Sequence, residues 1–211
     1  MWEQFGYSNA LLMICDHPVE FQYARRIRRS EAHMINPPAR ETQPAPSARS
    51  ALEARIRIRA LEPGDAGRVA ELAASLSAFE GAPPPPFHAE DVVRWGTGPD
   101  RRFDGMVAER DGRVVGYLLH HSGFHVGHGG PGLVLMDLFV ESRARGYGVG
   151  RALMAALAQE AQARSCRWIT WQVHPENASA MDFYRAVGGR RYRAADFELG
   201  LAAIAALAER D

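Results

Sequence analysis

Along residues 56–61 (IRIRAL) apolar and charged side chains alternate with period two, which predicts a strand. Beyond Pro63-Gly64 the period lengthens. Val69, Leu72, Ala73, Leu76 and Phe79 recur at i, i+3, i+4, i+7 and i+10, one face of an amphipathic helix with Asp65 as its N-cap. Pro83–Pro86 enforces an extended connection, and HAEDVVRWG (88–96) offers a short second helix. FDGMVAER and RVVGYLLHH flank Asp111-Gly112, a two-residue hairpin turn. GLVLMDLFV (132–140) is a mostly apolar strand, followed by an Ala-rich helix from about 150 to 164. WITWQV (168–173) predicts a further strand, and NASAMDFYRAV (177–187) a helix stopped by Gly188-Gly189. Short strands around Tyr192 and Phe197 then precede a last Ala/Leu helix at 200–209. The order β-α-α-β-β-β-α-β-α-β-β, closed by that helix, predicts one mixed α/β domain at 55–211, a central sheet flanked by helices.

Composition sharpens the boundary. Residues 36–50 (NPPARETQPAPSARS) hold almost no large apolar side chain, and such a segment cannot bury enough surface to offset its ordering entropy. Residues 1–54 are therefore expected to be a disordered extension or linker, with Met34 or a later codon as an alternative start. Its Arg25, Arg26, Arg28 and Arg29 read as a solvated charge run in preference to a nucleic-acid contact. The 25 basic residues, all Arg, balance 25 acidic ones, so no global field draws the chain to nucleic acid. No apolar run approaches a membrane span, no basic leader precedes the N-terminal apolar stretch, and Cys15 and Cys166 build no disulfide framework. These features predict a cytoplasmic protein without membrane or nucleic-acid partners. Cys166 is expected to be a buried small side chain. His120, His121, His125 and His128 are read as loop histidines across a hairpin, not as a metal centre.

The segment Arg145-Gly146-Tyr147-Gly148-Val149-Gly150-Arg151 joins the apolar strand to the Ala-rich helix. Three missing Cβ atoms let successive backbone N–H groups face one acceptor closely, beside the positive end of a helix. Taken alone, the spacing suits either a phosphate cradle or a tight packing turn, with Arg145 and Arg151 placed to add charge-assisted bonds. A dinucleotide fold wants this loop in the first βα unit and an acidic residue about 20 positions on; a Walker loop wants Gly-Lys-Ser/Thr. Neither pattern is present.

Arg145-x-x-Gly148-x-Gly150 after a strand, followed by Asn177-x-x-Ala180-x-x-Phe183-Tyr184-x-x-x-Gly188, resembles the GNAT N-acetyltransferases over about residues 56–208. Phe79-Glu80, Met136 to Val140 and Asn177 to Tyr184 are most similar to the diamine (spermidine/spermine) acetyltransferases and their bacterial relatives. The resemblance implies a GNAT fold with acetyl-CoA as cosubstrate, its pyrophosphate on Arg145 to Arg151 and its pantetheine beside Leu138, Phe139 and Val140. It further implies the Val140 N–H as donor to the thioester carbonyl, a cofactor contact from Asn177 beside its capping role, and Tyr184 as general acid to the departing thiolate. Glu80, Met136 and Asp137 fall at acceptor positions. Met136 stands where the diamine enzymes carry Glu, which leaves the base open among Glu80, His174 and Glu176 acting through water.

Three readings follow. The leading one is direct acetyl transfer to a primary amine of a small molecule, polyamine-like or an amino-acid side chain, with a homodimer among the assemblies that the resemblance implies. Acetylation of a protein N-terminus or an aminoglycoside is the enzymatic alternative. A non-catalytic acyl-CoA-binding module is the third.

Overall fold

The computed structural model describes residues 56–192 and 198–208. The N-terminal extension, Phe197 and the strand expected there lie outside these residues. Five strands, β1 (Ile56–Ala60), β2 (Asp104–Arg110), β3 (Arg113–His125), β4 (Gly130–Val140) and β5 (Ile169–Thr170), form one sheet in sequence order. β1 to β4 are antiparallel, and β5 runs parallel to β4. The helices are α1 (Ala66–Phe79), α2 (Ala89–Val92), α3 (Val149–Ala163), α4 (Ala178–Ala186) and α5 (Leu201–Ala208). Among the described residues no helix is long and apolar enough to cross a membrane.

Strand alternation divides the core in two. Val107, Tyr117, Leu119 and Phe139 pack on Val69, Leu72 and Ala73 of α1, whereas Met106, Leu118, Leu133, Leu135 and Val140 pack on Val149, Leu153 and Leu157 of α3. Both faces are covered, so the sheet supports whatever its strand ends carry.

Several expectations need correction. Asp65 makes no side-chain cap on α1; its carboxylate accepts from the Glu62 N–H at 2.9 Å and is gripped by Arg59 at 2.6 and 2.8 Å. It closes the 3₁₀ turn Pro63–Asp65 that feeds the helix. The short second helix is one α turn that opens into a wider π turn at Val93–Thr97. The strand expected at 168–173 pairs only at Ile169 and Thr170, and Tyr192 belongs to no strand. Asp111 and Gly112 do form the expected tight turn, both at positive φ.

The shortening of β5 has a visible cause in β4. Leu119 of β3 sits opposite Asp137, but the next residue, His120, sits opposite Leu135. Met136 is thus an extra residue, a β-bulge, and a bulge bends its strand and increases its twist. β5 pairs with β4 on the N-terminal side of the bulge, at Leu133 and Val134, and no further. Past it the two strands part.

The long β3–β4 hairpin leans on Trp168, whose indole N–H donates to the Gly130 carbonyl at 2.9 Å. A Cβ on Gly132 would lie 2.2 Å from that indole, so only glycine fits. Gly132→Ala is expected to destabilise the domain by about 1–3 kcal/mol through overpacking, read as a lowered Tm in thermal unfolding, while Gly64→Ala, which meets open space, leaves Tm nearly unchanged.

Candidate functional site

The site forms where β4 and β5 separate. The Glu141 N–H donates to the Val115 carbonyl at 2.9 Å, and Gly116 lies opposite Val140, Leu118 opposite Leu138. In an antiparallel ladder this register turns the backbone N–H and C=O of Leu138 and Val140 away from β3. They face the side that β5 has left, where no strand pairs with them, while Phe139 keeps its backbone to β3 and buries its ring against α1. Glu141 anchors the end of β4: Arg68 of α1 grips its carboxylate, with Arg143 at 2.8 Å and Arg113 at 3.4 Å.

The glycine loop follows. Ala144 is buried, Arg145 is extended, and Gly146 and Gly148 adopt φ +79° and +83°. Gly148 is the residue immediately before α3, so its left-handed conformation turns the chain into the helix and brings the loop's N–H groups beside those of the first helical turn. Val149 points into the core, Tyr147 lies under the Arg110 guanidinium at 4.8 Å, and Arg151 reaches the Ala186 carbonyl at 3.3 Å, tying α3 to α4. Arg145 is engaged elsewhere: its Nε donates to the Val140 carbonyl at 2.9 Å, and its guanidinium lies over the Phe79 and Phe139 rings at 4.6 and 5.4 Å.

Across the gap stands α4. The Asn177 side chain accepts from the Ala180 N–H at 3.0 Å, an N-cap as expected. Tyr184 packs its ring on Trp171 and Phe183, centroids 5.0 and 5.1 Å apart, so its body belongs to the α3-side core. Burial, and then the charges of Asp137 and Glu80, push its phenol up to about 12. That electrostatic coupling places Tyr184, Asp137 and Glu80 in one neighbourhood.

Asp137 lies on the α1 face of β4, half-buried, with the Tyr117 hydroxyl donating to Oδ2 at 3.1 Å. Burial raises the Asp137 carboxyl above its ordinary range, only partly offset by Tyr117, and pushes the fully buried Tyr117 phenol well up. Glu80 ends α1, and lost hydration followed by the Asp137 charge raises it too, while His174 pulls it down. Met136 is exposed on the bulge. The structure therefore brings together Glu80, Asp137, Tyr184 and His174, with Met136 displaced onto the bulge beside them. Sequence reasoning missed Tyr117. Its signal was a tyrosine in an aliphatic strand, two residues off-register from the one acid in another apolar strand.

The histidines do not form one group. His120 is 1% exposed, in the sheet interior between Asp104 and Leu135, and is not a loop histidine. His125 and His128 stack with Trp168 at the hairpin tip. Among the described residues no three His, Cys, Asp or Glu side chains converge as metal ligands. Cys166 is half-buried at the edge of the α3-side core, less enclosed than expected.

Residues 71–188 match the model of the acetyltransferase (GNAT) family. The chain belongs to that family. It is 27% identical over 144 residues to thialysine N-epsilon-acetyltransferase of Bos taurus, covering 64% of this chain and 84% of the relative. Among solved structures it resembles an aminoglycoside acetyltransferase from an uncultured soil metagenomic sample in complex with sisomicin, at TM-score 0.61 and 20% identity over 71% of this chain and 99% of that one. It also resembles an aminoglycoside N-acetyltransferase in complex with CoA, at TM-score 0.58 and 21% identity over 69% and 95%. The mixed α/β GNAT fold and an acyltransferase activity of the N-acetyltransferase kind follow from this membership.

For this GNAT domain two outcomes are expected. Gly148→Val forces a branched side chain into φ +83° and blocks close approach to the loop, so calorimetric CoA binding is lost. Gly150→Ala, whose Cβ would meet only the Phe183 ring edge at 3.3 Å, retains it. Separately, Asp137 ionises at a cost in the folded state: with its folded carboxyl raised, its own contribution to stability is greatest at low pH and is lost as pH rises through the folded value. Asp137→Asn stays neutral, so its Tm should exceed wild type at pH 7 and lose that advantage on acidification.

Proposed function

We propose that the protein transfers the acetyl group of acetyl-CoA directly to a primary amine of a small cationic molecule. The observation that carries this reading is the convergence of two carboxyls, Glu80 and Asp137, and one neutral phenol, Tyr184, around the gap beside Leu138 and Val140.

The residues fit the cosubstrate. The N–H and C=O of Leu138 and the N–H of Val140, turned away from β3, suit the amides of a pantetheine arm laid alongside as an added strand. The N–H groups of Gly146 to Gly150, at the positive end of α3, suit a pyrophosphate without any side-chain charge. Asn177, capping α4 on the opposite wall, completes the groove. The Val140 N–H, fixed in the strand, would stabilise charge developing on the thioester carbonyl oxygen.

Glu80 and Asp137 would draw an ammonium into the gap, and a charged amine lowers the cost of their ionisation by pairing with them. The acceptor loses its proton before attack, and in this reading Glu80, His174 or Glu176 would take it through water. Met136, without a charge, cannot serve as this base. Burial keeps the Tyr184 phenol protonated at neutral pH; because a thiol is the stronger acid, its proton reaches the departing thiolate only if the hydroxyl is held against the sulfur. Tyr117 holds Asp137 at one rotamer, so the acceptor's charge meets a fixed partner.

The test is free-thiol release from acetyl-CoA with thialysine, 1,4-diaminobutane, sisomicin and an alanyl N-terminal peptide. Turnover of the first two supports the small-amine reading. Preference for sisomicin or the peptide redirects it, and no release from any, with CoA still bound, favours a binding module. Tyr184→Phe is expected to lower kcat about 10²–10⁴-fold, the usual worth of a positioned acid, with CoA affinity retained. The amine's KM should rise as pH falls through the raised carboxyls, since their charge exists only above the folded values. Glu80→Gln should remove part of that rise.

A further inference from the structure

Phe79 is the outlier of α1. The helical period that buries Val69, Leu72 and Ala73 would bury it too, yet it is 50% exposed. What covers it is Arg145. The guanidinium lies over Phe79 and Phe139 while Nε is bonded to the Val140 carbonyl, so one side chain of the glycine loop is joined at once to the last turn of α1 and to β4. That last turn is itself closed. The Ala82 N–H donates to the Ser77 carbonyl at 2.8 Å and the Gly81 N–H to the Ala78 carbonyl at 3.2 Å, with Gly81 left-handed, a Schellman cap that sets Glu80 as the C-cap of the helix. After it the chain runs into Pro83–Pro86, whose prolines carry no backbone N–H to donate.

We propose that Arg145 is a positioning residue of the acceptor side: it holds Phe79, and with it Glu80, against β4, and does not serve as a phosphate ligand. This rests on the small-amine reading above. A guanidinium lying over two rings and bonded at Nε would forfeit all three interactions to swing toward the loop's amides, and those amides with the helix dipole suit an anion without it. The same arrangement links the two substrates. An anion that orders the glycine loop orders the root of Arg145, and through it the position of Glu80.

Lysine keeps the charge but loses the planar stack and the Nε geometry. Three readouts on the full chain decide the matter: calorimetric CoA affinity, amide exchange at Glu80 to Ala82 with CoA bound, and the KM for 1,4-diaminobutane at saturating acetyl-CoA. Arg145→Lys is expected to speed exchange at Glu80 to Ala82 and to raise the diamine KM about tenfold, in keeping with a lost cation–π contact and a charge-assisted hydrogen bond. CoA affinity should stay close to wild type and kcat should change far less than KM. Phe79→Leu should do the same, and the double variant should add little to either single one, because both remove one shared contact. Weakened CoA binding with unchanged exchange makes Arg145 a phosphate ligand and overturns the proposal. So does faster exchange with an unchanged diamine KM, or full additivity in the double variant. If the wild-type protein acetylates no diamine, the small-amine reading fails separately, and the exchange and CoA measurements still decide where Arg145 acts.

Discussion

One extra residue in β4 organises the site. Hydrogen bonding requires a strand's edge to be paired, covered or left to water, and the bulge at Met136 decides which of these happens along β4. On its N-terminal side, Leu133 and Val134 pair with β5; on its C-terminal side, Leu138 and the Val140 N–H turn away from β3 with no strand beside them, and the Val140 carbonyl takes Arg145. An unpaired strand edge inside a domain, walled by α4 and floored by the α3-side core, is costly unless something extended lies along it. The glycine loop follows the C-terminal end of this edge, so the proposed extended ligand would meet both.

The two core faces divide the chemistry. The α1 face carries Tyr117, Asp137, Phe139 and, at the helix end, Glu80; the α3 face supports Tyr184 through Trp171 and Phe183. Carboxyls therefore approach the gap from one side of the sheet and the phenol from the other. That separation suits a transfer in which one group must attract and release a cation while another must stay protonated. Burial is the first cause of each upward shift, and the carboxylate charges add to it at Glu80, Tyr117 and Tyr184.

Legibility from sequence followed the range of the interactions. Helix α1, the Asp111-Gly112 turn, the Asn177 cap and the glycine loop depend on residues within one or two turns of each other, and their patterns stand in the chain as written. The bulge does not. Nothing in GLVLMDLFV marks Met136 as the extra residue, because the shift exists only relative to β3, and so the length of β5 was overestimated. Tyr117 was missed for the same reason: its bond to Asp137 spans the hairpin diagonally and depends on the shifted register. Asp65 was read as capping the helix because local preference favours it, but Arg59 across the 3₁₀ turn offered its carboxylate a stronger partner.

Met136 bears on the chemistry as well as the fold. On a regular strand, replacing an acid by methionine would remove a carboxylate from one face and leave Asp137 on the other. A bulge sets two consecutive residues against one partner and relaxes that strict alternation. Asp137 is consequently drawn to Tyr117 on the α1 side, close enough to Glu80 for the two to feel each other's charge. The acidic character of the pocket is thereby kept with one carboxylate from the strand and one from the helix end. It is a distributed arrangement, and it makes the relative placement of α1 and β4 a matter of function as well as packing. The Arg68–Glu141 ion pair and the Arg145 contact with Phe79 both set that placement, beside the glycine loop. A proposed acceptor site assembled from two elements is only as well defined as the contacts that hold those elements together.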